Sequence, residues 1–375
     1  MEKIKVLIVA ADPAAGMVPF VATIANTLAD DGRFDVYALV VDEERMSYSD
    51  KFSKKIKVQA IAKPVSSLGK LLLKIYPIKL YHLLEQKISD IKPDVVHFMV
   101  GEYLFANHIM KIKAKSRLCL TVHDLHPHER SNQPLKDDLI YKKIIYKGYK
   151  KCERDIPTLT TSSLSQCHEL KELYPSKNIV FTHFPSLVTE QIKHGTAKIK
   201  ELSDIDKYIL FFGSVDKYKG VDLLISAFCS LKDNCGMKLV IAGKGQDYDT
   251  CGNKDIIRLN RFIEDEEVSD LFRRASFVVY PYISATMSGV LSIAYYFRKR
   301  VLMSDVQFFK DNATPSCTLF RAGDKEDLKN KLQELLNSKD CEPTKDFYSD
   351  MYSHTVLSDD YFNLYKSIII NASKL

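Results

Sequence analysis

Apolar stretches with the length of β-strands alternate along the chain with stretches whose apolar residues recur at helical spacing. The strand Ile4–Ala10 comes first, and a helix with Val21, Ile24 and Leu28 on one face follows it. Further strands are predicted at 35–41, 94–99, 117–122 and 158–161. This alternation is typical of a doubly wound α/β fold with a parallel sheet.

The second half of the chain repeats the alternation from a continuously apolar strand at 208–212. Such a strand is typical of a parallel sheet that is covered on both faces. A turn containing Lys219 and Gly220 follows, and the next helix carries Leu224 and Phe228 on its apolar face. The pattern therefore predicts a strand, a glycine-containing turn and a helix in succession.

A second strand, turn and helix lie at 277–301, and this turn contains Ser288 and Gly289. Amides at the start of a helix are free to bind an anion. Two such turns at the carboxyl edge of one sheet could hold a diphosphate between them, with Lys219 adding positive charge. Alternatively, each turn only connects a strand to a helix.

Two domains are indicated by the polar segment between Pro185 and Asp206, which lacks strand periodicity. We expect a Rossmann-like N-terminal domain at 1–190, a second Rossmann-like domain at 206–342, and C-terminal helices at 343–375. The chain has 375 residues, of which 46% are hydrophobic, and this suffices for two cores.

The order of these landmarks resembles that of GT-B glycosyltransferases over nearly the whole chain. The segments FFGSVDKYKGVDLLISAF, LVIAGKG and NRFIEDEEV carry the resemblance in the C-terminal half, and IKVLIVA, KPDVVHFMVGEY and LCLTVHDLHPH carry it in the N-terminal half. More narrowly, the chain is similar to the large retaining family of bacterial lipopolysaccharide, capsule and mannosyl transferases. The resemblance implies two Rossmann-like domains facing across a cleft, with residues 343–375 crossing back to the N-terminal, acceptor-binding domain.

The resemblance also implies that the C-terminal domain binds a nucleotide-sugar donor. Lys219 is expected to be catalytic, because it would neutralise the diphosphate as it leaves. The segment 261–263 would flank the nucleobase through its backbone. The implied donor-binding residues are Gly213, Ser214, Lys219, Gly243, Arg261, Phe262, Ile263, Ser288, Gly289 and Val290. Gly243 is explained equally well as a turn residue.

The sequence departs from the family pattern at three positions in this half of the chain. Ser214 stands where an arginine usually follows the glycine of the first turn. Ala285 and Ile293 stand where the family usually has two glutamates, the second of which holds the ribose. Some members replace this pair with a loop containing Ser-Gly, so we expect altered nucleotide recognition and not loss of function.

His123 matches a family histidine near the reacting sugar, and the resemblance implies a catalytic role for it. It could donate to a sugar hydroxyl or stabilise a cationic transition state through its carbonyl. Asp12, Gly16 and Asp124 are the other residues expected on the acceptor side. Asp12 could equally cap the helix that follows it.

The loop after His123 also contains His126, His128 and Glu129. Ordinary loop packing is one alternative to a role in the cleft, and a metal site is another. We expect no metal, because GT-B enzymes do not ordinarily need one for catalysis. No cofactor beyond the sugar nucleotide, which is a substrate, is expected either.

The eight cysteines show no CxxC spacing, which favours a reduced setting without a zinc site or a disulfide framework. Neither a signal peptide nor an apolar run of membrane-spanning length is apparent. We therefore expect a cytoplasmic protein.

Positive charge is concentrated in residues 1–200, which hold 31 Lys and Arg against 22 Asp and Glu. These lysines are dispersed, and no motif for nucleic-acid binding accompanies them. At 66–87, leucines at helical spacing alternate with Lys70, Lys74 and Lys79. This helix could lie on anionic lipid at the inner face of the cell membrane. A core-packed helix with solvated lysines explains the same pattern.

Two functions from different classes are consistent with the sequence. We expect a retaining glycosyltransferase that moves a sugar from a nucleotide-diphosphate donor to an acceptor hydroxyl in bacterial surface glycan or glycolipid assembly. The acceptor would be a glycan or a lipid-linked molecule. The alternative is a catalytically silent relative that binds a partner transferase or a glycan, and the missing arginine and glutamates favour it.

Overall fold

The computed structural model describes residues 2–12, 17–42, 47–125, 145–250, 252–338, 343 and 345–372. Gly16, His126, His128 and Glu129 lie outside the described residues, and so do the predictions made for them.

The chain divides into two compact units, each built on one parallel sheet. The first unit runs to Pro185 and resumes at His354, and the second unit is Ser186–Ser353. The chain therefore rejoins the first unit at His354, whereas the predicted boundary lies at 343. The helix at 347–352 stays with the second unit because Phe347 and Tyr352 pack on Tyr295, with ring centroids 6.4 and 6.2 Å away.

The first sheet has seven strands and the second has six among the described residues. The strands are β1 Ile4–Ala10, β2 Phe34–Asp42, β3 Lys57–Ala62, β4 Val95–Val100, β5 Leu118–Thr121, β6 Thr158–Thr161, β7 Asn178–Phe181, β8 Tyr208–Phe212, β9 Lys238–Ala242, β10 Ile256–Leu259, β11 Ala275–Tyr280, β12 Arg300–Ser304 and β13 Cys317–Phe320. Their order is β3-β2-β1-β4-β5-β6-β7 in the first sheet and β10-β9-β8-β11-β12-β13 in the second. All neighbouring strands are parallel.

Helices connect the strands and cover the sheets. They are α1 Met17–Asp30, α2 Ser67–Ile75, α3 Ile78–Ile91, α4 Ile109–Lys113, α5 Lys147–Asp155, α6 Leu164–Leu173, α7 Glu190–His194, α8 Val221–Cys229, α9 Asp265–Arg274, α10 Val290–Tyr296, α11 Gln307–Asp311, α12 Lys325–Asn337, α13 Phe347–Tyr352 and α14 His354–Ala372. No helix within the described ranges combines the length and the apolar character needed to span a membrane.

Strand β1 shows why the first sheet is covered on both faces. Its side chains alternate, so Leu7 and Val9 pack in one core while Val6 and Ile8 pack in the other. Helices α1 and α14 cover the second of these cores, and the α14 residues predicted to dock are buried in it: Tyr361, Leu364, Tyr365 and Ile368. The final helix is therefore an integral part of the first unit.

His97 of β4 ties α14 to the sheet. Its Nδ1 lies 2.9 Å from the Tyr365 hydroxyl, and its Nε2 lies 2.8 Å from Oγ1 of Thr121. Burial, with a smaller contribution from the nearby His123, lowers the pKa of His97 to about 3. His97 is therefore neutral at physiological pH and has a structural role.

Helix α2 does not pack into the core of the first unit, because none of its residues is buried. The core-packed interpretation of residues 66–87 is therefore wrong for α2. It holds for α3, which begins after Pro77 and buries Leu80, Leu84 and Ile88.

Candidate functional site

The turn after β8 is held closely against the chain that follows β11. Lys219 ends a short 3-10 helix at 217–219, and Gly220 follows with a φ of +64°. A Cβ atom at Gly220 would lie 2.1 Å from the carbonyl oxygen of Pro281. Only glycine permits this backbone conformation together with this close approach. The Ile283 amide adds a 2.7 Å hydrogen bond to the Tyr218 carbonyl, so the turn has a fixed position.

Lys219 is buried in this turn, with 7% of its surface exposed. Its ammonium nitrogen lies 5.3 Å from the ring centre of Tyr282 and 5.8 Å from that of Tyr218. Among the described residues it forms no ion pair. Burial lowers the pKa of Lys219 to about 8, and the charge of Asp216 partly offsets this effect. The lysine is thus a desolvated cation that a bound anion would stabilise.

Tyr282 contributes a polar group to the same place. The residue is 1% exposed, and its hydroxyl has no hydrogen-bond partner within the described part of the chain. Burial raises the pKa of Tyr282, while the nearby Ser288 side chain lowers it in part. Tyr282 was not predicted as a site residue. Its position in VVYPY, just after the apolar strand, could have indicated that it lies at the carboxyl edge of the sheet.

The structure brings Gly213 and Val290 to this site as well. A Cβ atom at Gly213, where φ is +133°, would lie 3.3 Å from Nζ of Lys219 and 3.7 Å from Cγ1 of Val290. Glycine therefore leaves the space beside the ammonium group open. Gly289 immediately precedes α10, and its carbonyl accepts a 2.6 Å hydrogen bond from Ser292.

Ser214 stands where an arginine is expected, and its side chain carries no positive charge. Its hydroxyl donates a 2.7 Å hydrogen bond to Asp216, and both side chains are exposed. Lys219 is accordingly the cation that the turn itself directs toward Gly213.

Gly243 has a clear structural explanation. A Cβ atom there would lie 1.9 Å from the Gly213 carbonyl oxygen. The Gly213 amide also donates to the carbonyl of Ala242 at 3.0 Å. The ends of β8 and β9 therefore touch through two glycines, which places Gly243 beside the Lys219 turn.

The three residues predicted beside the nucleobase differ in their surroundings. The Arg261 guanidinium forms two 2.7 Å hydrogen bonds with Glu267, and this pairing raises the pKa of Arg261. Its side chain is thus engaged within the protein. The Ile263 side chain is buried, whereas Phe262 is 66% exposed. Phe262 is therefore the side chain of the three that is available to a ligand.

Ala285 and Ile293, which stand where the family usually has two glutamates, differ in their exposure. Ile293 is 3% exposed in α10, where residues 290–295 are all buried, while Ala285 is partly exposed in the preceding loop. An apolar side chain thus occupies the position where the resemblance leads us to expect the second glutamate.

His123, in the first unit, has a defined tautomer. Its Nε2 lies 2.7 Å from the carbonyl oxygen of Met99, so Nε2 carries the proton and donates. Its Nδ1 is buried and has no partner among the described residues. Burial lowers the pKa of His123, while Met99 and Asp124 act in the opposite direction. The ring is therefore neutral, and its free nitrogen can accept a hydrogen bond but cannot donate one.

This tautomer bears on the first of the two roles expected for His123. Donation from the imidazole to a sugar hydroxyl is not available, because the Met99 carbonyl takes the single N–H. The carbonyl of His123 lies 3.4 Å from the Gln166 side-chain amide. Asp124, the next residue, is exposed.

Asp12, at the end of β1, is held by two side chains that sequence reasoning missed. It accepts hydrogen bonds from the Tyr103 hydroxyl at 2.5 Å and from Lys63 at 3.0 Å. Helix α1 is described from Met17, and residues 13–16, on which the predicted capping role of Asp12 depends, lie outside the described residues. Within the described ranges, no group of three or more His, Cys, Asp or Glu residues could hold a metal ion.

Comparison with known proteins agrees with this architecture. Residues 206–338 match the model of a family described as glycosyl transferases group 1. A search of curated proteins found no match.

Three solved structures resemble the whole chain. Anabaena Alr3699/HepE in complex with UDP and glucose is 12% identical, and the match covers 97% of this chain and 100% of that one with a TM-score of 0.69. The catalytic domain of starch synthase IV from Arabidopsis thaliana, bound to ADP and acarbose, is 13% identical, with 98% and 100% covered and a TM-score of 0.68. WaaG, a glycosyltransferase involved in lipopolysaccharide biosynthesis, is 15% identical, with 97% and 95% covered and a TM-score of 0.57.

The chain therefore has the fold of GT-B glycosyltransferases, with two Rossmann-like parallel sheets. The family match lies in the unit that contains Lys219.

Proposed function

We propose that this protein is a glycosyltransferase that moves a sugar from a nucleotide-diphosphate donor to an acceptor hydroxyl. The observation that carries the proposal is the pair of Lys219 and Tyr282 at the carboxyl edge of the second sheet. Among the described residues, Lys219 is buried without a carboxylate partner, and the buried hydroxyl of Tyr282 has no hydrogen-bond partner. A diphosphate would satisfy both groups.

Lys219 supplies the main chemical contribution in this proposal. When the glycosidic bond breaks, negative charge develops on the departing diphosphate, and a fixed ammonium group stabilises it. Gly213 leaves space for a phosphate oxygen beside Nζ, since a Cβ atom there would lie 3.3 Å from that nitrogen. We propose that the amides of Ser288, Gly289 and Val290 donate to the same diphosphate.

The nucleoside would lie along the ends of β8 and β9. Phe262 offers an exposed ring against which a base could stack. The Gly243 backbone lies at this edge, and the backbone of 261–263 would contact the base. Since Ile293 offers no carboxylate, we propose that the phosphate contacts dominate donor binding. The reaction as proposed uses no metal and no other cofactor, because Lys219 provides the positive charge.

The comparisons support a nucleotide-sugar donor, because the Anabaena protein was solved with UDP and glucose and the Arabidopsis enzyme with ADP. The likeness to WaaG supports a role in surface glycan or glycolipid assembly. Retention of the anomeric configuration is part of the proposal and rests on the resemblance of the sequence to a retaining family.

The first unit would bind the acceptor. We propose that His123 is catalytic and that its free Nδ1 accepts a hydrogen bond from a sugar hydroxyl. Asp12 is held by Tyr103 and Lys63, so its carboxylate has a fixed orientation for an acceptor hydroxyl. We propose Asp124 and Gly16 as further residues on the acceptor side.

Helix α2 supports contact with an anionic membrane. Leu68 and Leu72 are 67% and 48% exposed, and Tyr76 at the end of the helix is 68% exposed. Lys70 and Lys74 lie on the same short helix. Exposed apolar side chains among lysines fit an anionic lipid surface. We propose that the protein is cytoplasmic and docks through α2 on the inner face of the cell membrane, where a lipid-linked acceptor would be found.

A vesicle sedimentation assay tests this docking. The wild-type protein should sediment with vesicles that contain phosphatidylglycerol and stay in solution with pure phosphatidylcholine vesicles. The double variant Leu68→Ser, Leu72→Ser should lose this binding. Leu173→Ser is the matched control, because Leu173 is 54% exposed on α6 of the same unit. Equal sedimentation of the double variant and the control would refute docking through α2.

The alternative function is a catalytically silent relative that binds a partner transferase or a glycan. Ala285 and Ile293, which stand in place of two family glutamates, favour this alternative. The decisive assay measures release of nucleoside diphosphate from a panel of sugar nucleotides in the presence of glycan and lipid-linked acceptors. We expect release with at least one donor, a glycosylated product with the donor's anomeric configuration by NMR, and loss of both in Lys219→Ala. Binding of a glycan without any release would favour the silent alternative.

A further inference from the structure

A second cavity lies in the second unit, away from Lys219. Its volume is about 720 Å³, and it is lined by residues from α7, the ends of α9 and α10, and α13. Arg273 lies just before β11, and Lys299 lies just before β12. Because the strands are parallel, these residues mark the amino edge of the sheet, whereas the Lys219 turn follows its carboxyl edge. We call this space the α10–α13 cavity.

Positive charge dominates the lining of the α10–α13 cavity. Lys193, Arg273, Arg298 and Lys299 line it, together with one carboxylate, that of Asp346. Lys193 pairs with Glu190 at 2.6 Å. Arg273 and Arg298 form no ion pair with any described carboxylate. Two guanidinium groups therefore remain available to a ligand.

Arg298 occupies a backbone position that favours glycine. Its φ is +50°, and it follows Phe297, the C-cap residue of α10. The Arg298 amide donates to the Tyr295 carbonyl at 3.0 Å, and the Lys299 amide donates to the Ala294 carbonyl at 2.9 Å. This is the hydrogen-bond pattern of a Schellman motif, in which glycine usually occupies the left-handed position. The arginine costs stability here, which points to a role for its side chain.

Arg273 is held in place by its surroundings. Its guanidinium lies 5.6 Å from the ring centre of Phe297, and its Nε donates a 3.1 Å hydrogen bond to Ser269. Tyr296 and Tyr348 form an edge-to-face pair beside it, with ring centres 5.1 Å apart. The cavity thus combines a positioned cation with an aromatic wall.

Asp346 is the carboxylate that lines the α10–α13 cavity, and it can accept hydrogen bonds from a ligand. Hydrogen bonds from the amide and hydroxyl of Ser349 fix its carboxylate. These bonds lower the pKa of Asp346, and the nearby Arg298 contributes to the same direction. Asp346 is therefore an ionised acceptor for hydroxyl groups close to Arg298.

We propose that the α10–α13 cavity binds a small phosphorylated sugar at a site separate from the donor site. Arg273 and Arg298 would bind the phosphate, because planar guanidinium groups suit its oxygens. Asp346 would accept hydrogen bonds from the sugar hydroxyls, and the tyrosine pair would contact the ring. The volume lies within the range of ordinary small-molecule sites.

Calorimetric titration with glucose 6-phosphate tests the proposal on the full-length protein. Wild type should bind it, and Arg298→Gly should bind at least about tenfold more weakly, as expected for a lost charge-assisted contact. The melting temperature of Arg298→Gly without ligand should be unchanged or higher, because glycine suits the left-handed position. Arg298→Asn, which also tolerates this conformation, provides an independent variant. Lys219→Ala should bind as wild type does.

Several results would overturn the proposal. One is unchanged affinity in both Arg298 variants, and another is the absence of binding to wild type at millimolar concentration. Inorganic phosphate binding as tightly as glucose 6-phosphate would reduce the cavity to a general anion site. An equal loss in Lys219→Ala would place the sugar phosphate at the donor site instead.

Discussion

The ammonium nitrogen of Lys219 lies 5.3 Å from the ring centre of Tyr282. This contact places a buried cation against an aromatic face, without an ion pair among the described residues. Most of the desolvation cost of Lys219 is therefore already present in the free protein. A phosphate group that arrives beside Gly213 would gain the attraction of this cation at little further desolvation cost to the lysine.

The first prediction concerns Lys219→Ala. Loss of a charge-assisted contact to phosphate should weaken nucleoside diphosphate binding by roughly 1.5–3 kcal/mol. Turnover should fall as well, because the lysine stabilises the leaving diphosphate. Calorimetric titration and product formation measure the two effects.

The matched control for Lys219→Ala is Lys217→Ala. Lys217 belongs to the same 3-10 turn, but it is exposed. We expect this variant to keep wild-type affinity and turnover. If the two variants behave alike, then the general charge of the turn, and not the buried position of Lys219, determines binding.

Diphosphate binding should depend on pH. The pKa of Lys219 in the free protein is lowered to about 8, so the ammonium group loses its proton as the pH rises through this value. Since the charged form attracts the ligand, affinity should decrease above pH 8, by at most about tenfold per pH unit. A titration series at increasing pH gives the profile.

The uncharged variant Lys219→Met is the reference for this profile. It should bind more weakly at neutral pH and show no decrease of affinity above pH 8. A wild-type profile that stays flat through the same range would show that Lys219 does not carry the charge that the diphosphate meets.

His123→Ala should separate binding from chemistry. His123 lies in the first unit, whereas the proposed phosphate contacts lie in the second. We expect nucleotide affinity close to wild type and a reduction of transfer by roughly 100-fold, a magnitude typical of a positioned catalytic group. His168→Ala is the control, because His168 is exposed in the same unit. A parallel loss of binding and transfer would indicate a folding role for His123.

Gly220→Ala should perturb the turn that positions Lys219. The new Cβ atom would lie 2.1 Å from the Pro281 carbonyl oxygen. Gly252→Ala is the matched control. Gly252 has a similar φ of +67°, but nothing lies within 4 Å of its Cβ position. Both alanines are strained, by about 1–2 kcal/mol, through the left-handed backbone.

The difference between these two variants isolates the contact with Pro281. Gly220→Ala should lower the urea midpoint further than Gly252→Ala and should also weaken diphosphate binding. Equal midpoints for the two variants would contradict the packing of the turn on the chain after β11.

Much of the fold could be predicted from the sequence, because buried parallel strands are nearly continuous apolar runs. The predicted strands at 4–10 and 208–212 coincide with β1 and β8. The edge strands β3 and β7 were not predicted. Lys57–Ala62 is mostly exposed or half-buried, so its pattern carries little apolar signal.

The sequence predicted less of the site, because side-chain contacts depend on how separate loops pack. Lys219 was predicted from its turn, but its contact with Tyr282 requires the chain after β11 to lie against that turn. Arg261 was predicted beside the nucleobase, yet its guanidinium pairs with Glu267. Neither relationship follows from spacing along the chain.

The most direct test of the donor site compares nucleoside diphosphates with the matching monophosphates on the folded wild-type protein. Calorimetric titrations with UDP, ADP and GDP, and with UMP, AMP and GMP, provide the comparison. We predict that at least one diphosphate binds clearly more tightly than its monophosphate, because the contacts come from Lys219 and backbone amides. No detectable binding of any diphosphate at millimolar concentration would contradict the donor site and favour the silent alternative.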